Sequence, residues 1–230
     1  MKTVWKLYAA TILLSACGAV SLLSACVETQ RTEEQKISVR PSLTERVQTA
    51  VVEMQKQATE ALPEEIAGLK SAEPVADREK NQRGAGFTRV YANADNDLMA
   101  TVFVYNNQNF GVPEEIDPVM EALMDKHLQE FKGLQDSGLY ADVKAGETKQ
   151  RAFWWKSVKY QVLETEVDFS HKEEDKKSLV VLGANKDLMS YVRIRYTYPK
   201  SKQAEMNKKQ NVFTRTVMAG LHDFAAAQKQ

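Results

Sequence analysis

Cysteine is nearly absent. The chain of 230 residues has two, Cys17 and Cys26, both near its start. Everything after Cys26 therefore lacks a disulfide, a thiolate nucleophile and a cysteine metal ligand. Histidine is almost as scarce, and His127, His171 and His222 show no metal-ligand spacing, so each reads as a satisfied or exposed imidazole and no metal is expected. An excess of one charge is also missing, with 31 basic against 31 acidic residues. Nucleic-acid binding needs a concentrated basic face that releases counterions from phosphates, so this balance argues against nucleic acid as a partner. There is no Gly-x-Ser-x-Gly elbow, phosphate-binding glycine loop or dinucleotide fingerprint, and Gly84-Ala85-Gly86 reads as a strand entrance. No internal repeat occurs at a period of about 20 to 50 residues.

The first residues carry the strongest signal. Met1 to Lys6 is short and basic, and no charged residue follows from Leu7 to Val27, which is the layout of a secretory signal. Leu-Ser-Ala-Cys then occurs twice, as Leu14-Ser15-Ala16-Cys17 and Leu23-Ser24-Ala25-Cys26. Each resembles the lipobox of bacterial lipoproteins. In that family the cysteine sulfur receives a diacylglyceryl group, the leader is cut just before that cysteine, and the new amino group is commonly acylated. Cys26 is the preferred lipidation site, with Cys17 as the fallback. Cutting at Cys17 leaves Gly18 to Ala25 as an apolar stub, whereas the chain after Cys26 turns polar at once with Glu28, Thr29, Gln30 and Arg31. Covalent lipid on Cys26 is the one attached group expected, and no other cofactor is.

The competing reading is a plain transmembrane anchor, since about 18 or more apolar residues can span a bilayer. The many Ser, Ala, Gly and Thr residues in the run argue against it. In the lipoprotein family an Asp after the lipidated cysteine favours inner-membrane retention. Here that place is Val27, so in a Gram-negative envelope the resemblance implies the periplasmic face of the outer membrane.

The expected organisation is a signal peptide over 1–25, a flexible tether over 26–41 and a single domain over 42–230. Removing the leader takes away Lys2 and Lys6, leaving 29 basic against 31 acidic residues and a formal charge of −2. A chain of that length can bury a substantial core.

Ser42 with Glu45 three residues on forms a capping box, and Leu43, Val47, Ala50, Val51, Met54, Ala58 and Ala61 recur at helical spacing up to Pro63. After a Gly68-centred segment, strands are expected over Gly86 to Tyr91 and over Leu98 to Tyr105, the second buried on both faces. Asn93-Ala94-Asp95-Asn96-Asp97 between them is turn chemistry, because the further oxygen ligands and glycine of a calcium loop are missing. Asp117 and Pro118 open a second helix whose stripe is Met120, Leu123, Met124, His127, Leu128, Phe131 and Leu134, closed by Gly138. Four strands are expected next, over Tyr140 to Arg151, Ser157 to Phe169, Ser178 to Ala184 and Leu188 to Tyr198, with Ser170 to Lys177 as a solvated hairpin tip. A last helix opens at Ser201, with Met206, Phe213, Val217, Leu221 and Phe224 on its apolar face.

This order defines an α+β domain: a mainly antiparallel sheet of about six or seven strands with helices packed on it. The run Gly86-Phe87-Thr88-Arg89-Val90-Tyr91, followed by Ala100 to Asn106, a helix and closing strands, resembles uncharacterised bacterial exported proteins. The element order is similar to the PsbP-type fold group over about residues 62 to 222. That group includes accessory and assembly factors without catalysis, so the resemblance implies a non-enzymatic role.

Three sets of side chains remain as candidate chemistry. A pair of glycosidase type could lie among Glu147, Glu164, Glu166 and Asp168, although the alternation of the last three most simply lines the wet face of one strand. Tyr191, Arg193 and Arg195 share one strand face, opposite Val192, Ile194, Tyr196 and Tyr198. The arginines could bind a carboxylate or phosphate, but pairing with Glu164 or Glu166 on a neighbouring strand is the preferred expectation. Trp154 and Trp155 should point opposite ways, one into the core and the other toward a turn or a ligand groove. The expected function is a membrane-anchored, non-catalytic envelope protein that binds a protein partner or supports assembly. A small-ligand carrier with a groove lined by Trp154 or Trp155 is second, and an unrecognised hydrolase is third.

Overall fold

The computed structural model describes residues 42–113 and 115–229, so Cys17, Cys26 and the segments expected to be a signal peptide and a tether lie outside the described residues. Helix α1 (Leu43–Glu60) begins as its sequence demands. The Ser42 hydroxyl accepts from the Glu45 N–H at 3.2 Å and the Glu45 carboxylate accepts from the Ser42 N–H at 2.7 Å, which satisfies two orphan donors of the first turn. A short antiparallel hairpin follows, β1 (Glu65–Ile66) and β2 (Leu69–Ser71), turned at Ala67 and Gly68 with φ of 52° and 82°. Then come β3 (Ala76–Asp77), β4 (Phe87–Ala92) and β5 (Met99–Tyr105).

Helix α2 (Pro118–Asp136) has Pro at its start, an Asp117 carboxylate accepting from the Met120 N–H at 2.9 Å, and Gly138 beyond its end at φ 74°. The remaining strands are β6 (Ala141–Ala145), β7 (Lys149–Trp155), β8 (Val158–His171), β9 (Glu174–Asn185) and β10 (Ser190–Pro199). A turn of 3-10 helix at Lys200–Lys202 leads into α3 (Gln203–Ala227).

All ten strands join one sheet in the order β1-β2-β4-β5-β10-β9-β8-β6, with β3 beside β4 and β7 beside β8. Every pairing is antiparallel. The fold is α+β as expected. Seven strands have five residues or more, and the other three are two or three residues long, too short for an alternation to show.

Two expectations fail locally. Tyr140 to Arg151 is two strands, because the chain turns a corner at Gly146 and β7 runs on through Phe153, Trp154 and Trp155. Ser170 to Lys177 is mostly strand, its turn shrunk to Lys172 and Glu173 with φ of 52° and 64°. A two-residue turn with both φ positive is the primed type whose twist suits a hairpin, here made without the usual Asn-Gly.

Alternation along the strands divides the core in two. On one face Ala100, Val102 and Val104 of β5, Val192, Ile194 and Tyr196 of β10 and Val181 of β9 pack under α1 and α3. Phe213 of α3 sits edge-on to Tyr91 and Tyr196 with ring centroids 5.3 and 5.5 Å away. On the other face Tyr105, Tyr191, Leu182, Leu163 and Phe169 pack under α2 through Met120, Met124 and Phe131. One helix is too narrow to cover that whole face, and what it leaves open is the candidate site.

Candidate functional site

Strand β10 presents Arg193 and Arg195 on the α2 face, level with Phe103 and Thr101 of β5. Arg193 lies under the helix. Its guanidinium stacks 3.9 Å from the Phe103 ring centroid, and its Nη1 donates to both Glu130 carboxylate oxygens at 2.7 Å. Glu130 also accepts from His127 Nδ1 at 2.9 Å, and His127 Nε2 lies 2.7 Å from the Tyr105 hydroxyl. Arg193 Nη1 also lies 2.6 Å from His127 Nδ1, so Nδ1 sits between the guanidinium and the carboxylate; with Nδ1 donating to Glu130, Nε2 accepts from the Tyr105 O–H.

Tyr105, His127 and Glu130 thus have the connectivity of a nucleophile, a base and an orienting carboxylate. Their environment assigns another job. Burial pushes the Tyr105 hydroxyl well above the usual tyrosine value, so it is a protonated donor and the opposite of an activated nucleophile. Burial also lowers the His127 pKa, against the hydrogen bond to Glu130. Burial alone would raise the Glu130 pKa, but the His127 hydrogen bond and the Arg193 charge outweigh it and bring it to about 2. The set is a polar clamp tying α2 to β5 and β10.

Two positions along, the surroundings change. Arg195 stacks 4.2 Å from the Phe131 ring centroid, with Tyr140 and Phe169 at 5.6 and 5.9 Å, and its Nη2 donates to the Tyr140 hydroxyl at 2.8 Å. No carboxylate pairs with it among the described residues. Phe131 is the last buried residue of α2, and the sheet surface beyond it forms an open cleft of about 530 Å³. Met99, Thr101, Phe103, Arg195 and Thr197 form its floor, and Tyr140, Phe169, His171, Lys172 and Lys176 rise around it. Two of the charges there are already matched, Lys176 by Glu174 at 2.7 Å and Asp97 by Lys202 at 2.6 Å. A half-buried guanidinium held flat by aromatic rings, with free donors facing a cleft, is suited to an anionic group attached to an apolar body.

The expected arginine partners are wrong, for a reason of register. Glu164 and Glu166 lie on the opposite face of β8, where Glu164 accepts from Arg151 at 2.8 Å and Glu166 from Lys177 at 2.6 Å. Glu164 is buried there, so the wet-face reading fails for it. A small cleft does bring Glu147, Glu164 and Glu166 together, while Asp168 lies outside it, bonded to Lys200 at 2.7 Å. Ion pairing to Arg151 and Lys177 accounts for the two central carboxylates without catalysis.

Neither tryptophan fills the core. Trp154 and Trp155 stand at the β7–β8 hairpin tip, 65% and 40% exposed, and do not line the cleft. His171 lines it and bonds the Leu139 carbonyl, while His222 lies edge-on to Tyr160. Among the described residues no group of three or more His, Cys, Asp or Glu could hold a metal. Gly84 and Gly86 do form an anion cradle, but the anion is the protein's own Glu79, which accepts from both N–H groups at 2.9 and 2.7 Å. Asp97 accepts from the Asn93 side chain at 2.7 Å and so closes its turn.

The floor of the cleft was missed because Leu98 to Tyr105 reads as doubly buried, whereas Met99 is 41% exposed and Thr101 and Phe103 are half-covered. The polar Thr101 in that apolar run was the available signal.

No family model matches the chain, and no curated protein matches it. Among solved structures it is similar to the solution structure of cyanobacterial PsbP from Synechocystis sp. PCC 6803, at 14% identity and a TM-score of 0.38, over 65% of this chain and 85% of that one. A likeness at that level is one of distant fold and constrains neither ligand nor role. Among the described residues no helix is long and apolar enough to cross a membrane.

Proposed function

We propose that the protein is a non-catalytic binding protein of the bacterial cell envelope, held by lipid on Cys26 at the periplasmic face of the outer membrane. Its cleft captures a carboxylate attached to an apolar body. The observation that carries this reading is Arg195: a guanidinium framed by Phe131, Tyr140 and Phe169, without a carboxylate partner among the described residues, at the floor of an open cleft. A buried or half-buried cation without a counter-ion is costly, and a ligand that supplies the missing charge recovers that cost. The volume lies within the range of about 300 to 1,000 Å³ usual for small-ligand clefts, which suits one terminal group or small acid rather than a long peptide.

The carboxylate has two possible sources, a partner's chain end or a free small acid. Thermal melts with benzoate, benzamide, N-acetylphenylalanine and its amide separate them. Both carboxylates should raise the melting temperature of the wild type, the amides should not, and Arg195→Gln should abolish the effect while remaining folded. A preference for N-acetylphenylalanine points to a chain end, and a preference for benzoate to a free acid. Equal responses to acid and amide, or an unchanged response in Arg195→Gln, would remove the cleft from the argument.

A further inference from the structure

The β7–β8 hairpin ends in Trp155-Lys156-Ser157-Val158, with Lys156 at φ 52°. Trp154 is paired across the hairpin with Lys159, so a large indole and an ammonium share one exposed surface. Trp155 belongs to the other face, the one that α3 covers, and Lys156 donates to Asp223 of α3 at 2.8 Å. The tip is therefore braced against the body, and two indoles are held in solvent on a fixed turn. Exposure of this kind has no folding advantage, because the two rings forgo the burial that the neighbouring Phe153–Tyr160 pair obtains.

The position of the tip in the fold indicates what it meets. The start of β8 adjoins the β9–β10 turn, since Ser157, Val158 and Lys159 line one cleft with Asn185 and Asp187. The same turn receives α1, where Gln55 Nε2 donates to the Met189 carbonyl at 3.1 Å. The far end of α1 lies at the opposite end of the sheet, with Pro63 under Tyr91. The beginning of α1 thus projects past the end that carries the tryptophans. Its first two turns expose Leu43 and Val47 at 70% and 42%.

Ser42 lies sixteen residues after Cys26. Sixteen residue steps span at most about 54 Å. The tip stands at the end of the domain toward which the first turns of α1 project. Resting on the reading of Cys26 as the lipid anchor, we propose that the Trp154–Trp155 hairpin inserts at the phospholipid interface and is a second, reversible membrane contact. Tryptophan prefers the headgroup level, where its ring is buried and its N–H stays wet, and Lys159 beside Trp154 can lay its stem along the ring and its charge among lipid phosphates. The Arg195 cleft, at the other end of the sheet, then faces away from the membrane.

Trp5 lies in the leader, so Trp154 and Trp155 are the tryptophans of the mature chain and report on the tip directly. The test is fluorescence of the mature lipidated protein in phosphatidylethanolamine–phosphatidylglycerol vesicles, with acylation of Cys26 verified by mass on the same sample. Emission should shift to shorter wavelength, brominated lipid should quench most of it, and Trp154→Glu should remove the quenching of Trp155. Acylated protein whose emission stays that of exposed tryptophan overturns the inference and leaves the anchor standing. Shielding from acrylamide without quenching by brominated lipid also overturns it, because the tip is then covered by protein, a second copy included. An unacylated Cys26 overturns the anchor and this inference with it.

Discussion

Arg89 is the residue whose removal tests the packing argument most directly. Its side chain is only 4% exposed, and it caps the end of α1 from strand β4. Nη1 donates to the carbonyls of Glu60 at 2.8 Å and Leu62 at 2.6 Å, with Thr59 at a weaker 3.4 Å. The last carbonyls of a helix have no intrahelical donor, and a cation there also meets the negative end of the helix dipole. Glu64 lies 2.6 Å from Nη2, but its side chain is 85% exposed, so water screens that pair. Two hydrogen bonds from a charged donor contribute about 1.5 to 3 kcal/mol each, and without them two carbonyls lose their donors.

Arg89→Met keeps the aliphatic volume and should cost about 3 to 5 kcal/mol. With a urea slope near 2 kcal/mol/M, the midpoint should fall by about 2 M at an unchanged slope. Arg89→Lys retains the charge without the fork and should fall between the two. A loss below about 1 kcal/mol for Arg89→Met would refute the claim that this one guanidinium fixes the helix end.

Further outcomes follow from other sites. Gly86→Ala places a Cβ 1.9 Å from the Val104 carbonyl oxygen and 2.6 Å from Tyr105 Cα at a φ of +65°, all against backbone, so it should cost more than about 3 kcal/mol in a thermal melt. Gly183→Ala meets the flexible end of Met218 at 2.8 Å and should cost only about 1 kcal/mol. Thr101→Glu puts a carboxylate directly across from Arg195, so it should raise the melting temperature and abolish the response to benzoate. For pH, burial lowers the His127 pKa below 6.5, so the unfolded chain binds the extra proton and stability, full above that value, falls as the pH drops through it. Glu130, held at about 2 from 4.5, adds a second loss below 4.5, which Glu130→Gln should remove from the acid limb of melting temperature against pH.

What was legible in the sequence was what local chemistry decides. The Ser42–Glu45 box, the Asp117–Pro118 start and the Gly138 stop place two helices to within a few residues, because each is a hydrogen bond or a backbone conformation belonging to its own neighbourhood. The two-sided pattern of β10 was legible for the same reason. Partners across the sheet were not. Whether Arg193 meets Glu166 or Glu130 depends on which face of β8 carries the glutamates and which helix crosses above, and neither is encoded within one strand. Arg89 was equally hidden, an arginine inside an apolar strand whose use appears only when α1 ends above it.

Arg193 and Arg195 supply the internal control for reading Arg195 as a site. They share one strand, one face and one residue type, and both stack on aromatic rings. The difference lies in what covers them: α2 brings Glu130 over Arg193, and one residue later it brings Phe131 over Arg195. Structural use of an arginine on this face thus looks like a carboxylate at 2.7 Å with a histidine clamped beside it. Arg195 has the stacking and the Tyr140 hydrogen bond that hold a guanidinium in place, and lacks the counter-charge that completes a structural pair. Position without neutralisation is the arrangement that an arriving anion requires, since the protein has already ordered the side chain before binding. Were Arg195 only a packing residue, replacing it with methionine would leave the carboxylate response unchanged; loss of that response in a variant that melts like the wild type would separate binding from packing at this one position.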